Sequence, residues 1–379
     1  MNVKLIDEAD YASTMERTIL PALAQCRVEG WMEPAEVDGL PSLPAPGSAG
    51  ASCERDASGV GNGTGNDELA AHAGKLHYVC YDSAKFDALR EDGATGIFRG
   101  AIVISHGFTE FTRKYAELIW YFLLSGYSVC MMEHRGHGYS ARDVDQNWLV
   151  WIDDWHRYVA DLAKFADTIG KQYADGQPLN LFCHSMGGGI GAAVLEQHPT
   201  LFDKAVLSCP MIAPATGIPN WLARALAEVM CGVGLGRHAV FGQGPFEPTF
   251  KPEDHPGASD ARVRWFHRCR CDDAHYQTNA AAFEWVRQAL RLSHAVLRPS
   301  ACANIETPIL LFQAGRDVWV LNEPQNRFVE RVREGGGNIQ LVRFPDSLHE
   351  IFSMPNGTIA PYLKQILDFY GSSEIAVAD

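Results

Sequence analysis

Seven short apolar runs, separated by stretches with helical spacing, constrain this chain more than any other feature. The runs are Leu76–Tyr81, Ala101–Ser105, Ser128–Met132, Leu179–Cys183, Ala205–Cys209, Ile309–Gln313 and Ile339–Phe344. Most are continuously apolar rather than alternating, the pattern of parallel strands covered on both faces. The helical stretches are Lys114–Leu124, Asp153–Tyr173, Gly188–Glu196, Glu323–Glu334 and Ile359–Tyr370. Strand–helix alternation of this kind predicts an α/β fold built on a mostly parallel, doubly wound sheet.

Three segments stand outside the rhythm. Residues 211–298 read as helices and loops between two strands, and so as a helical cap inserted over one end of the sheet. Residues 1–33 carry a helix over Tyr11–Val28, interrupted by Pro21. Residues 34–74 are rich in Gly, Pro, Ala, Ser and Asn, with too few large apolar side chains to offset the entropy of ordering them. They read as a flexible polar insertion, leaving 75–210 and 299–379 as the core domain.

Composition narrows the class of partner. The chain has 379 residues, of which 46% are hydrophobic, enough for a large core, and a formal charge of -14. With no basic stripe, nucleic acid is excluded as a partner. The first residues carry Asp7, Glu8 and Asp10 and no apolar signal core, and no window approaches the roughly 18 apolar residues of a spanning helix. A soluble, cytoplasmic protein is expected. Ten scattered cysteines read as free thiols rather than a disulfide framework. Cys269-Arg270-Cys271, with His267 and His275 nearby, lacks a second matched pair and is crowded by Arg262, Arg264 and Arg268. No metal and no cofactor are expected.

Chemistry in a parallel sheet gathers at the carboxyl ends of its strands. Ser185 stands there, in Cys183-His184-Ser185-Met186-Gly187, between an apolar run and a helix start made of small residues. Such a strand–turn–helix elbow holds a hydroxyl clear of the backbone. Cys183 occupies the place where the motif has its first glycine. A serine needs a base to take its proton, and the base needs a carboxylate to orient it. Asp317 follows the run ending at Gln313, and His349 follows the last strand. Nucleophile, acid and base thus come in the order Ser185, Asp317, His349, each after a separate strand. Asp346 and Glu323 are rival orienters, the first too close to His349 in the chain to reach its far nitrogen, the second further from the strand end. The N–H groups of Phe108, in Ser105-His106-Gly107-Phe108, and of Met186 are placed to donate to a developing oxyanion. The histidines of Glu133-His134-Arg135-Gly136-His137-Gly138 read as parts of a structural turn.

With these residues in view, the chain resembles the α/β-hydrolase group that contains monoacylglycerol lipases and bacterial lysophospholipases, the serine aminopeptidase S33 group. The resemblance rests on His106-Gly107-Phe108-Thr109-Glu110 with Arg113-Lys114-Tyr115, on Glu133 to Ser140, on Cys183 to Gly188, and on the Asp317 and His349 loops. Ser208-Cys209-Pro210-Met211, Phe283-Glu284-Trp285-Val286 and Leu311-Phe312-Gln313-Ala314 point to the lysophospholipase L2 type. The resemblance implies the α/β-hydrolase fold with a helical cap. It also implies hydrolysis of a carboxylic ester through an acyl-enzyme, with Ser185 attacking, His349 shuttling the proton and Asp317 holding His349. A monoacyl lipid is the implied substrate; a small-ester esterase, thioesterase or aminopeptidase is the alternative. A non-catalytic binding protein on the same fold is disfavoured by the presence of all three residues.

The cap adds one pattern of its own. Trp221, Leu222, Ala225, Leu226, Val229 and Met230 share one face of a helix. Such a face ordinarily packs inward, here onto the sheet domain. The alternative is that Trp221, Leu222 and Leu226 line an acyl site or touch a lipid surface, giving at most peripheral membrane contact.

Overall fold

A computed structural model describes residues 3–41, 72–86 and 96–372 of the chain. Most of the polar insertion expected at 34–74 therefore lies outside the described residues. Eight strands form the main sheet: β1 (Arg27–Met32), β2 (Leu76–Tyr81), β3 (Ala101–Ser105), β4 (Ser128–Met132), β5 (Leu179–His184), β6 (Lys204–Ser208), β7 (Ile309–Ala314) and β8 (Ile339–Phe344). Their spatial order is β1-β2-β4-β3-β5-β6-β7-β8. From β4 across to β8 every neighbouring pair is parallel, whereas β2 runs antiparallel to both of its neighbours. The principal helices are α1 (Ala116–Leu124), α2 (His156–Phe165), α3 (Met186–Gln197), α4 (Asn220–Gly232), α5 (Asp260–Asp272), α6 (Phe283–Val296), α7 (Asn322–Glu334) and α8 (Asn356–Gly371).

The central strands are largely apolar because each sends side chains into two cores. Ala101 and Val103 of β3, with Leu181 of β5 and Leu311 of β7, face the layer of α2, α3, α6 and α7. Ile102 and Ile104, with Phe182 and Phe312, face the layer of α1, α8 and the N-terminal helix. Successive strand residues point to opposite faces, so a sheet covered on both sides leaves few positions for a polar alternate, Asn180 being one. The chain direction reverses between β3 and β5, since β4 lies on one side of β3 and β5 on the other. A crevice opens at such a switch point, beyond the carboxyl ends of the two strands.

The N-terminal segment departs from its expected form. Its helix runs as Tyr11–Thr14, widens into a π-turn at Met15–Ile19 and continues as Leu20–Cys26. Pro21 has no N–H to give to the preceding turn and its ring crowds that turn, and the widening accommodates both effects. Residues 27–32, expected within a helical segment 1–33, instead form edge strand β1, paired antiparallel with β2 from Arg27–Tyr81 to Met32–Leu76. Burial along β1 grades from exposed to buried, so half of its residues are polar or small without harm to the sheet.

The segment expected as a cap, 211–298, divides in two. Helix α6 packs along α3 and buries Trp285, Ala289, Leu292 and Val296 in the core, as the crossover helix between β6 and β7 must. The stretch from Cys209 to α6 overhangs the carboxyl edge, with α4 against α6 and α5 against the N-terminal helix on the opposite face. A two-residue parallel pairing, Leu149–Val150 with Ala280–Ala281, fastens its far end to the core.

Candidate active site

The turn after β5 puts Ser185 at φ 53° and ψ -119°, a conformation that L-residues avoid and that persists only where the surroundings enforce it. Here the Ser185 N–H donates to the Ser208 carbonyl at 3.2 Å and its carbonyl accepts the Met211 N–H at 2.7 Å, while two glycines make room for the turn. A Cβ on Gly187 would lie 2.2 Å from the Ser105 carbonyl oxygen, so only glycine lets α3 start this close to β3. A Cβ on Gly191 would lie 2.3 Å from the Cys183 sulfur. The side chain that Cys183 adds where the motif has glycine is thus received by a missing side chain two turns into the helix. Ser185 itself is 9% exposed, at the floor of the crevice.

His349 follows β8 and Asp317 follows β7, and the parallel register of those strands, Phe344 opposite Ala314, brings the two loops together. The His349 Nδ1 lies 2.6 Å from the Asp317 Oδ2. The other carboxylate oxygen, Oδ1, accepts the N–H groups of Trp319 at 2.8 Å and Val320 at 3.0 Å. Arg316 N–H donates to the Ser347 carbonyl, a second tie between the loops. The rival carboxylates go elsewhere: Asp346 is exposed, and Glu323 pairs with Arg327 on α7. The rings of His184 and His349 are 4.8 Å apart, which sets the nucleophile turn against the base loop.

The first residue of α3 is Met186, whose N–H has no acceptor within its own helix. Phe108 lies on the loop after β3, and among the described residues its N–H has no acceptor either. That loop is shaped by Glu110, which accepts the Gly107 N–H at 2.5 Å and the Tyr115 hydroxyl at 2.5 Å. The Phe108 ring meets Trp285 of α6 at 4.3 Å.

Sequence reasoning did not single out the polar network beneath these groups. The buried ammonium of Lys114 sits 2.6 Å from Glu110 and 2.6 Å from Glu350, the residue after His349. Glu110 also faces the His184 Nδ1 at 3.1 Å. One cation therefore joins the loop of Phe108, the turn of Ser185 and the loop of His349. Burial disfavours every charge in the cluster, yet the mutual attraction prevails. Lys114 and His184 hold the Glu110 carboxyl well below the ordinary carboxylate range, and Glu110 and Glu350 lift Lys114. The only advance signal was the Glu110–Lys114 spacing of four residues, which permits pairing on one helical turn.

The histidines read as structural are buried in a second network behind the first. His106 Nε2 accepts the His134 N–H at 2.9 Å, and its Nδ1 donates to the Gly107 carbonyl at 2.7 Å. Glu133 binds His77, the Thr112 N–H and the Tyr139 N–H. Burial opposes charge on His77, but Glu133 and Glu29 outweigh it and raise the imidazole to about 9. Burial likewise opposes Glu133, and His77 with the two N–H donors brings it down to about 2.

The apolar face of α4 is the clearest reversal of expectation. Trp221 is 73% exposed, Val229 60%, Leu222 42% and Leu226 38%. The helix docks on α6 through the small residues Ala223 and Ala227 on its opposite side, so its large apolar side chains face outward rather than onto the sheet domain. Val318 and Trp319, beside Asp317, are exposed as well. A small, mostly apolar recess has Met186, Ile190, Met211 and Leu292 among its walls. Among the described residues no helix is long and apolar enough to cross a membrane.

A family model described as serine aminopeptidase, S33, matches residues 96–356. Lysophospholipase L2 of Escherichia coli strain K12 is 28% identical over 281 residues, covering 71% of this chain and 79% of that protein. A probable lysophospholipase L2 of Haemophilus influenzae is 27% identical over 274 residues, covering 72% and 83%. Among solved structures, a soluble variant of monoglyceride lipase from Saccharomyces cerevisiae, in complex with a substrate analog, superposes with a TM-score of 0.58 at 19% identity. The match covers 79% of this chain and 93% of that one.

Proposed function

The chain belongs to the serine aminopeptidase S33 family, and from that premise we propose a serine hydrolase that cleaves carboxylic esters of monoacyl lipids, lysophospholipid or monoacylglycerol, through an acyl-enzyme. The observation that carries the reading is the 2.6 Å His349–Asp317 pair beside a serine in a strained elbow. Among the described residues, this arrangement supplies a nucleophile, a base and an orienter from three strand ends.

In this mechanism Ser185 Oγ attacks the acyl carbonyl carbon while His349 Nε2 takes the hydroxyl proton. Asp317 keeps the Nδ1 proton in place and offsets the imidazolium charge. The carbonyl oxygen becomes an oxyanion and accepts the N–H groups of Phe108 and Met186, each worth roughly 3 kcal/mol because both are already aligned before reaction. His349 then protonates the departing alcohol oxygen as the C–O bond breaks. Water, deprotonated by the same nitrogen, attacks the acyl-enzyme and releases the free acid and Ser185.

Two features favour a lipid over a small ester. The small recess beside Met186, walled mainly by Ile, Met, Leu and Trp side chains, suits the first carbons of an acyl chain. The outward face of α4, with Trp319 at the acid loop, suits contact with the surface of a lipid aggregate. Fluorophosphonate labelling with a substrate panel tests both parts. Ser185→Ala should abolish labelling and lower ester hydrolysis by roughly 10,000-fold or more. Hydrolysis should favour a lysophospholipid or monoacylglycerol over p-nitrophenyl acetate and over an aminoacyl amide; preference for the amide would refute the lipid reading.

A further inference from the structure

We propose that Cys209, Asp317 and His349 form a binding site for a thiophilic divalent cation such as Zn²⁺ or Cd²⁺, and that occupation of this site switches hydrolysis off. The inference rests on the roles proposed above for Asp317 and His349. It goes beyond them through Cys209, which the hydrolytic steps leave unused.

Cys209 directly follows β6 and is fully buried. Its N–H donates to the Phe312 carbonyl at 2.8 Å, which anchors it beside the strand that leads to Asp317. The Cys209 sulfur, a carboxylate oxygen of Asp317 and an imidazole nitrogen of His349 all lie within 4.8 Å of one another. Among the described residues no other trio of His, Cys, Asp or Glu side chains meets that condition. Thiolate, carboxylate and imidazole are the donors that zinc accepts, at roughly 2.0–2.3 Å in a tetrahedron, and three protein ligands leave the fourth position to water. A tetrahedron of that size sets its ligand atoms about 3.3–3.8 Å apart, so the 2.6 Å His349–Asp317 pair must open by about an ångström and any spacing near 4.8 Å must close by as much. Magnesium and calcium favour oxygen donors alone and are not expected here.

Charge and protons balance. The cation brings two positive charges, met by the Asp317 carboxylate and by the Cys209 thiolate, whose proton leaves to solvent. The imidazole nitrogen facing Asp317 is Nδ1, and it carries the proton that the carboxylate accepts. A metal–Nδ1 bond displaces that proton to Nε2 of the same ring. Nε2 is then no longer free to take the proton of Ser185, and the Asp317 oxygen that held the ring is engaged by the ion.

The test uses the full chain with exposed Cys271 replaced by Ser throughout. Each protein's hydrolysis of a p-nitrophenyl ester is titrated with Zn²⁺ and normalised to its own metal-free rate. Cd²⁺ binding is read separately from the thiolate-to-metal charge-transfer band in the ultraviolet. Zn²⁺ should inhibit and EDTA should restore activity. Cys209→Ser should raise the half-inhibiting Zn²⁺ concentration by roughly 10- to 100-fold or more and remove part of the Cd²⁺ band. Cys209→Ala gives the same reading should the serine variant fold poorly. Inhibition unchanged without Cys209, or a Cd²⁺ band that does not depend on it, overturns the proposal. Because the band needs no turnover and should persist in Ser185→Ala, the metal site and the hydrolase reading fail by different measurements.

Discussion

The floor beneath Ser185 and the rim above it treat their side chains in opposite ways. Below, Glu110, Lys114 and Glu133 are charged and buried, Glu350 is half-buried, and all are partnered at 2.5–3.1 Å. Above, Trp221, Leu222, Leu226 and Val229 are apolar and open to solvent. Each region runs against ordinary burial preference, and each for its own reason. Buried charges that bind loops to one another fix the geometry of the reacting groups before substrate arrives. Exposed apolar groups leave binding surface unsatisfied until a matching surface is met. In the function proposed above, chemistry is preorganised on the floor, and selection is left to the rim.

The strongest way to break the contrast is at Lys114. Lys114→Met leaves Glu110 buried without its cation and should cost about 3–5 kcal/mol, read from urea unfolding. In molecules that remain folded, kcat should fall more than KM changes, since the loops of Phe108 and His349 lose their shared tie. Lys114→Arg should recover part of both. Unchanged kcat in folded Lys114→Met would make the floor merely structural.

A pH series sharpens the same side. His77 titrates near 9 in the folded chain against an ordinary 6.5, so its contribution is complete below pH 6.5 and disappears as pH rises through 9. Glu133 titrates near 2 against 4.5, so its contribution is complete above pH 4.5 and disappears as pH falls through 2. Stability from this pair should therefore be greatest between pH 4.5 and 6.5, with an alkaline loss of about 3 kcal/mol at most. His77→Gln should flatten the alkaline limb of a Tm–pH curve, and an unaltered limb would exclude His77 as its source.

The smallest effect on stability is expected at the rim. Replacing Trp221 and Leu226 together with serine should change unfolding free energy by about 0.5 kcal/mol or less per site. Liposome association and turnover of a long-chain monoacyl substrate should nevertheless fall several-fold, with p-nitrophenyl acetate hydrolysis unaffected. Equal losses on both substrates would place these side chains in the fold rather than at an interface.

The same contrast explains what could be read in advance. Strands β2, β3, β4 and β8 were legible to their end residues: β3 and β4 because a strand buried on both faces is written as a nearly uninterrupted apolar run, edge strand β8 because Ile339, Leu341, Val342 and Phe344 outweigh its polar Gln340 and Arg343. Edge strand β1 was not, since Arg27, Glu29 and Gly30 interrupt its pattern and a preceding helix with no stop signal runs into it. Ser185, Asp317 and His349 each carry a local signature at a strand end. The bond from Lys114 to Glu350 joins residues 236 positions apart, and nothing local at either end announces the other. The stripe on α4 was visible as a stripe, but periodicity reports which residues share a face and not what covers it. Ala223 and Ala227, small enough to let α4 approach α6 closely, were the cue to its true inner side.

The excursion between β6 and α6 leaves the sheet at its carboxyl edge and is fastened back at that edge by the short pairing of Val150 with Ala281. Departure and return at one rim make the intervening chain an exchangeable cassette. Its outer part around α4 can be rewritten by insertion, deletion or transplantation without moving a strand out of register, while Trp265 and Cys269 of α5 stay packed in the core. A family built this way can diversify its substrates at the pace of surface loops while its reaction centre changes at the pace of a core.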